Sequence, residues 1–146
     1  MMIITQTKPI EGVHTATVKS VTKYAKDTGS YVLTIVMNVN VAGKDRELVD
    51  KIFFDPEKPA NHGVVMTKYE QIAEQLGLTT DDYLVETASN ESETTFSLDE
   101  DKIISKLVAG TELVINRVRA INDRNNQVFY NTWYSMLTEE ELDLED

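Results

Sequence analysis

Tyr31 to Val41 (YVLTIVMNVNV) alternates with a period of two. Leu33, Ile35, Met37 and Val39 form one apolar face, and Thr34, Asn38 and Asn40 point the other way. A segment patterned in this way needs a sheet with one covered face. Turn sequences bound it on both sides, Asp27-Thr28-Gly29-Ser30 before and Ala42-Gly43-Lys44-Asp45 after. Beyond the turns lie two more strand-like runs, residues 13–22 (VHTATVKSVT) and residues 47–54 (ELVDKIFF), the second halted by Pro56 and Pro59. Three strands joined by short Gly-containing turns read as an antiparallel meander.

After the prolines the period changes. Thr67 and Glu70 have capping-box spacing, Tyr69, Ile72, Ala73 and Leu76 form a helical stripe, and Gly77 suits its end. Residues 79–96 are acidic and mixed, which predicts a surface insertion with a short strand at 83–86. Ser97 and Glu100 repeat the capping-box spacing before an apolar stripe of Ile103, Ile104, Leu107 and Val108, which Gly110 ends. Two further strands follow, residues 112–121 and 128–134, joined by an Asn- and Asp-rich hairpin at 122–126.

Three strands, a helical segment and two strands is the order of a five-stranded, OB-fold-like antiparallel barrel. The expectation is a mainly β protein with helices. One OB-fold-like domain would span 1–137, with a helical, acidic insertion at about 55–110 between the third and fourth strands, and an acidic tail at 138–146. A flat sheet with helices on one face is the structural rival.

The chain carries a net charge of −11, unevenly spread. Residues 1–72 balance at +1, residues 73–124 at −6 and residues 125–146 at −6. A polyanion would approach only the first half and the Arg117, Arg119 and Arg124 region, so a generic basic nucleic-acid binder is excluded. There is no cysteine, no basic leader with an apolar core and no apolar run near the ~20 residues of a membrane span. A cytoplasmic protein is expected. Nucleotide-loop, nucleophile-elbow and H-E-x-x-H motifs are absent, and His14 and His62 lie far apart. No enzyme activity, cofactor or metal is expected.

Single-strand binding needs cations that track a phosphate backbone and aromatic faces on which bases stack. Lys19, Lys23 and Lys26 fall on and after the first strand, Tyr31 opens the second, and Lys51 shares a face of the third with Phe53. On the fourth strand Arg117 and Arg119 share a face opposed to Val114, Val118 and Ala120. If that apolar set is core, the arginines look outward. On the fifth strand Tyr130 pairs with Tyr134 on one face and Phe129 with Trp133 on the other, and one pair must be core. The reading assigns Lys19, Lys23, Lys26, Lys51, Arg117 and Arg119 to phosphates, and Tyr31, Phe53, Tyr130 and Trp133 to bases. Glu139, Glu140, Glu141, Leu142, Asp143, Leu144, Glu145 and Asp146 form an anionic tail suited to compete for the same groove and to hold partner proteins. The alternative is an acidic protein-interaction or nucleic-acid-mimic module that binds a protein; a carboxylate metal nuclease ranks last.

GVHTATVKSVT at residues 12–22, DTGSY at 27–31, IFFDP at 52–56, NDRNNQVFYN at 122–131 and the acidic end together give a pattern of order and spacing. In it the chain resembles the small OB-fold single-stranded DNA-binding proteins that bacteriophages encode in replication or recombination modules. The resemblance covers roughly residues 12–76 and 110–146. It implies sequence-independent binding of single-stranded DNA, no catalysis, frequent homo-oligomerisation, a tail that recruits replication or recombination proteins, and a host bacterial cytoplasm as its location.

Overall fold

The structure is a computed structural model that describes residues 2–5 and 7–135. Both expected features of the acidic end, tail and partner contacts, lie outside the described residues. Five strands, β1 (Gly12–Ala25), β2 (Tyr31–Val41), β3 (Lys44–Phe54), β6 (Glu112–Ile121) and β7 (Val128–Trp133), form one curled antiparallel sheet in the order β3-β2-β1-β6-β7. The insertion between β3 and β6 holds α1 (His62–Gln75), α2 (Thr80–Tyr83), a hairpin of β4 (Leu84–Ser89) and β5 (Thr94–Leu98), and α3 (Glu100–Ile104).

The alternation in β2 reports its burial directly: Tyr31, Leu33, Ile35, Met37 and Val39 are all buried. On β3 Leu48, Asp50 and Ile52 face the same core. In β1 the phase reverses. Ala16 and Val18 pair with Val39 and Met37 on the core face, then a bulge at Lys19 puts Val21 opposite Ile35 and Lys23 opposite Leu33. One inserted residue switches which parity faces inward. The β2–β3 turn has two residues, Ala42 (φ 52°) and Gly43 (φ 83°), both in the left-handed region that a two-residue hairpin requires.

Helix α1 covers the inner face with Val65, Tyr69, Ile72 and Ala73, so the expected stripe is the packed one. Its start differs from the expectation. The helix begins at His62, and Thr67 sits inside it with its hydroxyl donating to Gly63 O at 2.8 Å. Its end matches: Gly77 (φ 76°) follows Leu76, and the Gly77 and Leu78 amides donate to Glu74 O and Ala73 O, a Schellman closure. Ser97 is no cap either; it lies in β5, and Asp99 precedes α3.

No ladder joins β3 to β7 among the described residues, so the sheet is a half-barrel rather than a closed one. Side chains bridge the gap instead. The Tyr134 hydroxyl, just past β7, donates to Asp50 Oδ2 of β3 at 2.5 Å, and Lys68 of α1 pairs with the same carboxylate at 3.3 Å. Gln71 accepts from the Tyr134 amide, and Gln75 donates to the carbonyls of Tyr134 and Val114. Backbone groups that a neighbouring strand would satisfy are thereby satisfied by two glutamines of α1.

Candidate nucleic-acid interface

The sheet's outer face carries an in-register row across three strands: Tyr24 of β1 opposes Val32 of β2, which opposes Phe53 of β3. Tyr24 is 65% exposed and Phe53 64%. Adjacent strands lie about 4.8 Å apart, so the two ring-bearing positions stand about 10 Å apart across Val32. The next row is Thr22, Thr34 and Lys51, with Lys51 exposed on the same face as Phe53. The face shared by Lys51 and Phe53 is the one the alternation of β3 predicts.

At this end of the sheet the β1–β2 turn and the loop after β3 enclose a cleft of about 340 Å³. Buried Tyr31 and half-buried Phe54 contribute to its lining from the core side, and Tyr24 and Phe53 from the outer side. The turn adds Lys26 and Ser30, the loop Asp55, Lys58 and Asn61. The turn is shaped by Gly29 (φ 89°), with the Lys26 amide donating to Ser30 O at 2.9 Å. The loop is shaped by Asp55. Its Oδ1 accepts from the Glu57 amide at 3.0 Å, and its carbonyl accepts from the Lys58 amide and from His62 Nε2 at 2.8 Å. His62 is thus half-buried and stacked on Phe54, with ring centroids 4.8 Å apart.

The other predicted residues are placed differently. Tyr31 is 7% exposed; its ring stacks on Phe54, its hydroxyl meets that of Tyr69 at 2.7 Å, and the Lys23 ammonium sits 4.5 Å over it. Burial, with Glu100 and Asp101 adding to it, pushes the Tyr31 hydroxyl up to about 12 even against the Tyr69 bond. This ring has no open face for a base. Lys23 is spent on Asp101 (2.8 Å) and Glu100 (3.7 Å), tying α3 to the sheet, and Lys19 reaches Glu47 at 3.1 Å.

The arginines of β6 do not look outward from the sheet. Leu113 and Ile115 are the buried set, and the alternation puts Arg117 and Arg119 on their side. Arg117 donates to Thr132 Oγ1 at 2.8 Å and to the carbonyls of Ile10 and Tyr130, with its guanidinium 5.5 Å from the Tyr130 ring. Its pKa is lowered chiefly by burial. Arg117 therefore clamps β6, β7 and the segment before β1. Arg119 is exposed, opposite half-buried Tyr130. On β7 the choice between pairs resolves in an unexpected way: Tyr134 enters the core, yet Trp133 is also buried, at 8% exposure, while Phe129 is exposed. Trp133 has no open face to offer a ligand.

Of the ten predicted residues, the structure gathers Lys26, Lys51 and Phe53 at one end of the outer face, sets Tyr31 in the wall of the same cleft with its ring packed, and sends the other six elsewhere. Sequence reasoning assigned no role to Tyr24 or Lys58. The missed signal was pairing: Tyr24 becomes outward-facing only because the bulge at Lys19 reverses the phase of β1. Among the described residues no group of three or more His, Asp or Glu side chains converges as a metal site, and no helix is long and apolar enough to cross a membrane. The chain matches no family model and no curated protein.

Proposed function

We propose that the protein binds single-stranded DNA in the cleft between Tyr24 and Phe53, and that its fold is OB-like. The carrying observation is the Tyr24–Val32–Phe53 row, two exposed rings on one sheet face beside three exposed lysines. Their backbone positions stand about 10 Å apart, and stacked ring centroids sit about 4.5–7 Å apart, so a base laid between the two side chains can meet both rings. Lys26, Lys51 and Lys58 have no ion-pair partner among the described residues, and they are free for phosphates. The strand order supports the OB-like reading, because β1 pairs with both β2 and β6 and the helix follows β3. So does the location of the cleft at the first turn and the faces of β2 and β3.

Phage replication or recombination is the role proposed for this binding, with the acidic tail as competitor and partner hook. The reading predicts a log–log salt slope of about −2 for oligo-dT affinity, about −0.7 for each of three phosphates. A titration in which the chain retards no labelled single strand at any concentration overturns it. That result would favour the acidic module that binds a protein, which the −12 carried by residues 73–146 supports.

A further inference from the structure

Asp55 is out of place in a cleft that only grips phosphates. It lines the same cleft as Lys26 and Lys58 yet pairs with neither, and it is half-buried. A carboxylate there opposes phosphate by like charge. Its turn-forming bond to the Glu57 amide does not explain the charge, since an asparagine makes the same turn. Three bonds fix the residue: Oδ1 to the Glu57 amide, and the carbonyl to the Lys58 amide and to His62 Nε2. Only one carboxylate oxygen is engaged, and that oxygen keeps a second lone pair.

We propose that Asp55 reads the Watson–Crick edge of the base held in the cleft and favours guanine. This inference rests on the cleft being a nucleic-acid site. Unstacked single-strand bases present that edge to side chains. Guanine alone offers two adjacent donors there, N1–H and N2–H, which match the two oxygens of a carboxylate. Cytosine and adenine each set an acceptor nitrogen beside their single amino donor, and thymine flanks its one N–H with two carbonyls. The lysines hold the phosphates while Asp55 selects the base, so the site is not indifferent to sequence.

The test is fluorescence anisotropy with labelled oligo-dT and with the same strand carrying one central dG, dA or dC, at one salt concentration. A bidentate contact predicts that wild type binds the dG strand at least about fivefold tighter than oligo-dT. Asp55→Asn keeps the turn and removes the charge. It should bind oligo-dT more tightly than wild type and lose the dG preference. Equal affinity of wild type for all four strands overturns the inference and leaves single-strand binding standing. A dG preference that survives in Asp55→Asn overturns it as well. Failure of wild type to bind any strand overturns both the inference and the reading beneath it.

Discussion

Replacing Lys68 by methionine should destabilise the molecule from its centre. Lys68 and Asp50 are both nearly buried, at 10% side-chain exposure each, with the ammonium 3.3 Å from either carboxylate oxygen. Tyr134 adds the third bond, from its hydroxyl to Asp50 Oδ2. Methionine preserves the volume of the lysine stem but leaves the Asp50 carboxylate with one neutral hydrogen-bond donor and Arg117 as a charged neighbour. Breaking a buried pair in this way costs about 3–5 kcal/mol. Tyr134→Phe removes one hydrogen bond to a charged group and costs about 1.5–3 kcal/mol. The three residues sit on α1, β3 and the end of β7, so the loss falls on the contact that holds the half-barrel curled. Urea unfolding followed by far-UV circular dichroism measures both variants. Asp50→Asn in the Lys68→Met background should recover more than half of the loss, because a neutral amide needs no counter-ion. A loss below about 1 kcal/mol for Lys68→Met, or no recovery in the double variant, would refute the argument that this pair is desolvated and coupled.

Two more outcomes follow from the same structure. Tyr31 titrates near 12 in the folded chain against about 10 when unfolded, so its contribution is fully present below pH 10 and fades as pH rises towards 12. Thermal melts between pH 9 and 12 should show a loss of about 2 kcal/mol from this group, Tyr134 adding in the same direction, and Tyr31→Phe should flatten the curve. Deleting residues 139–146 removes six acids and should tighten oligo-dT binding, most at low salt; unchanged affinity in the truncated chain would dismiss the tail as a competitor.

The sheet was legible because its strongest strands obey period two and its turns carry glycine where φ is positive, at Gly29 and Gly43. Facing was legible where one parity is clearly the more apolar, as in β2. It failed on β6, where Leu113 and Ile115 on one side compete with Val114, Val118 and Ala120 on the other. There the two arginines took the side of the buried pair, one of them as a clamp. It failed on β7 for a different reason: Trp133 and Tyr134 are buried from opposite faces, which no single-face rule anticipates. The β4–β5 hairpin was read only as a short strand at 83–86, since its residues are polar and exposed. Its turn rests on Asn90 Oδ1, which accepts from the Ser92 and Glu93 amides. The candidate site was half legible. Phe53, Lys51 and Lys26 follow from alternation and the first turn, whereas Tyr24 depends on a bulge and Lys58 on how the loop folds back over β3.

The central claim is that bases stack between Tyr24 and Phe53, and the affinity of Tyr24→Ala and Phe53→Ala for labelled oligo-dT tests it most directly. Both side chains are exposed, so truncation leaves the fold intact, and each lost ring should weaken binding about tenfold. Tyr130→Ala, at the far edge of the sheet, should bind like wild type. Wild-type affinity in both cleft variants, or a loss confined to Tyr130→Ala, would contradict the account.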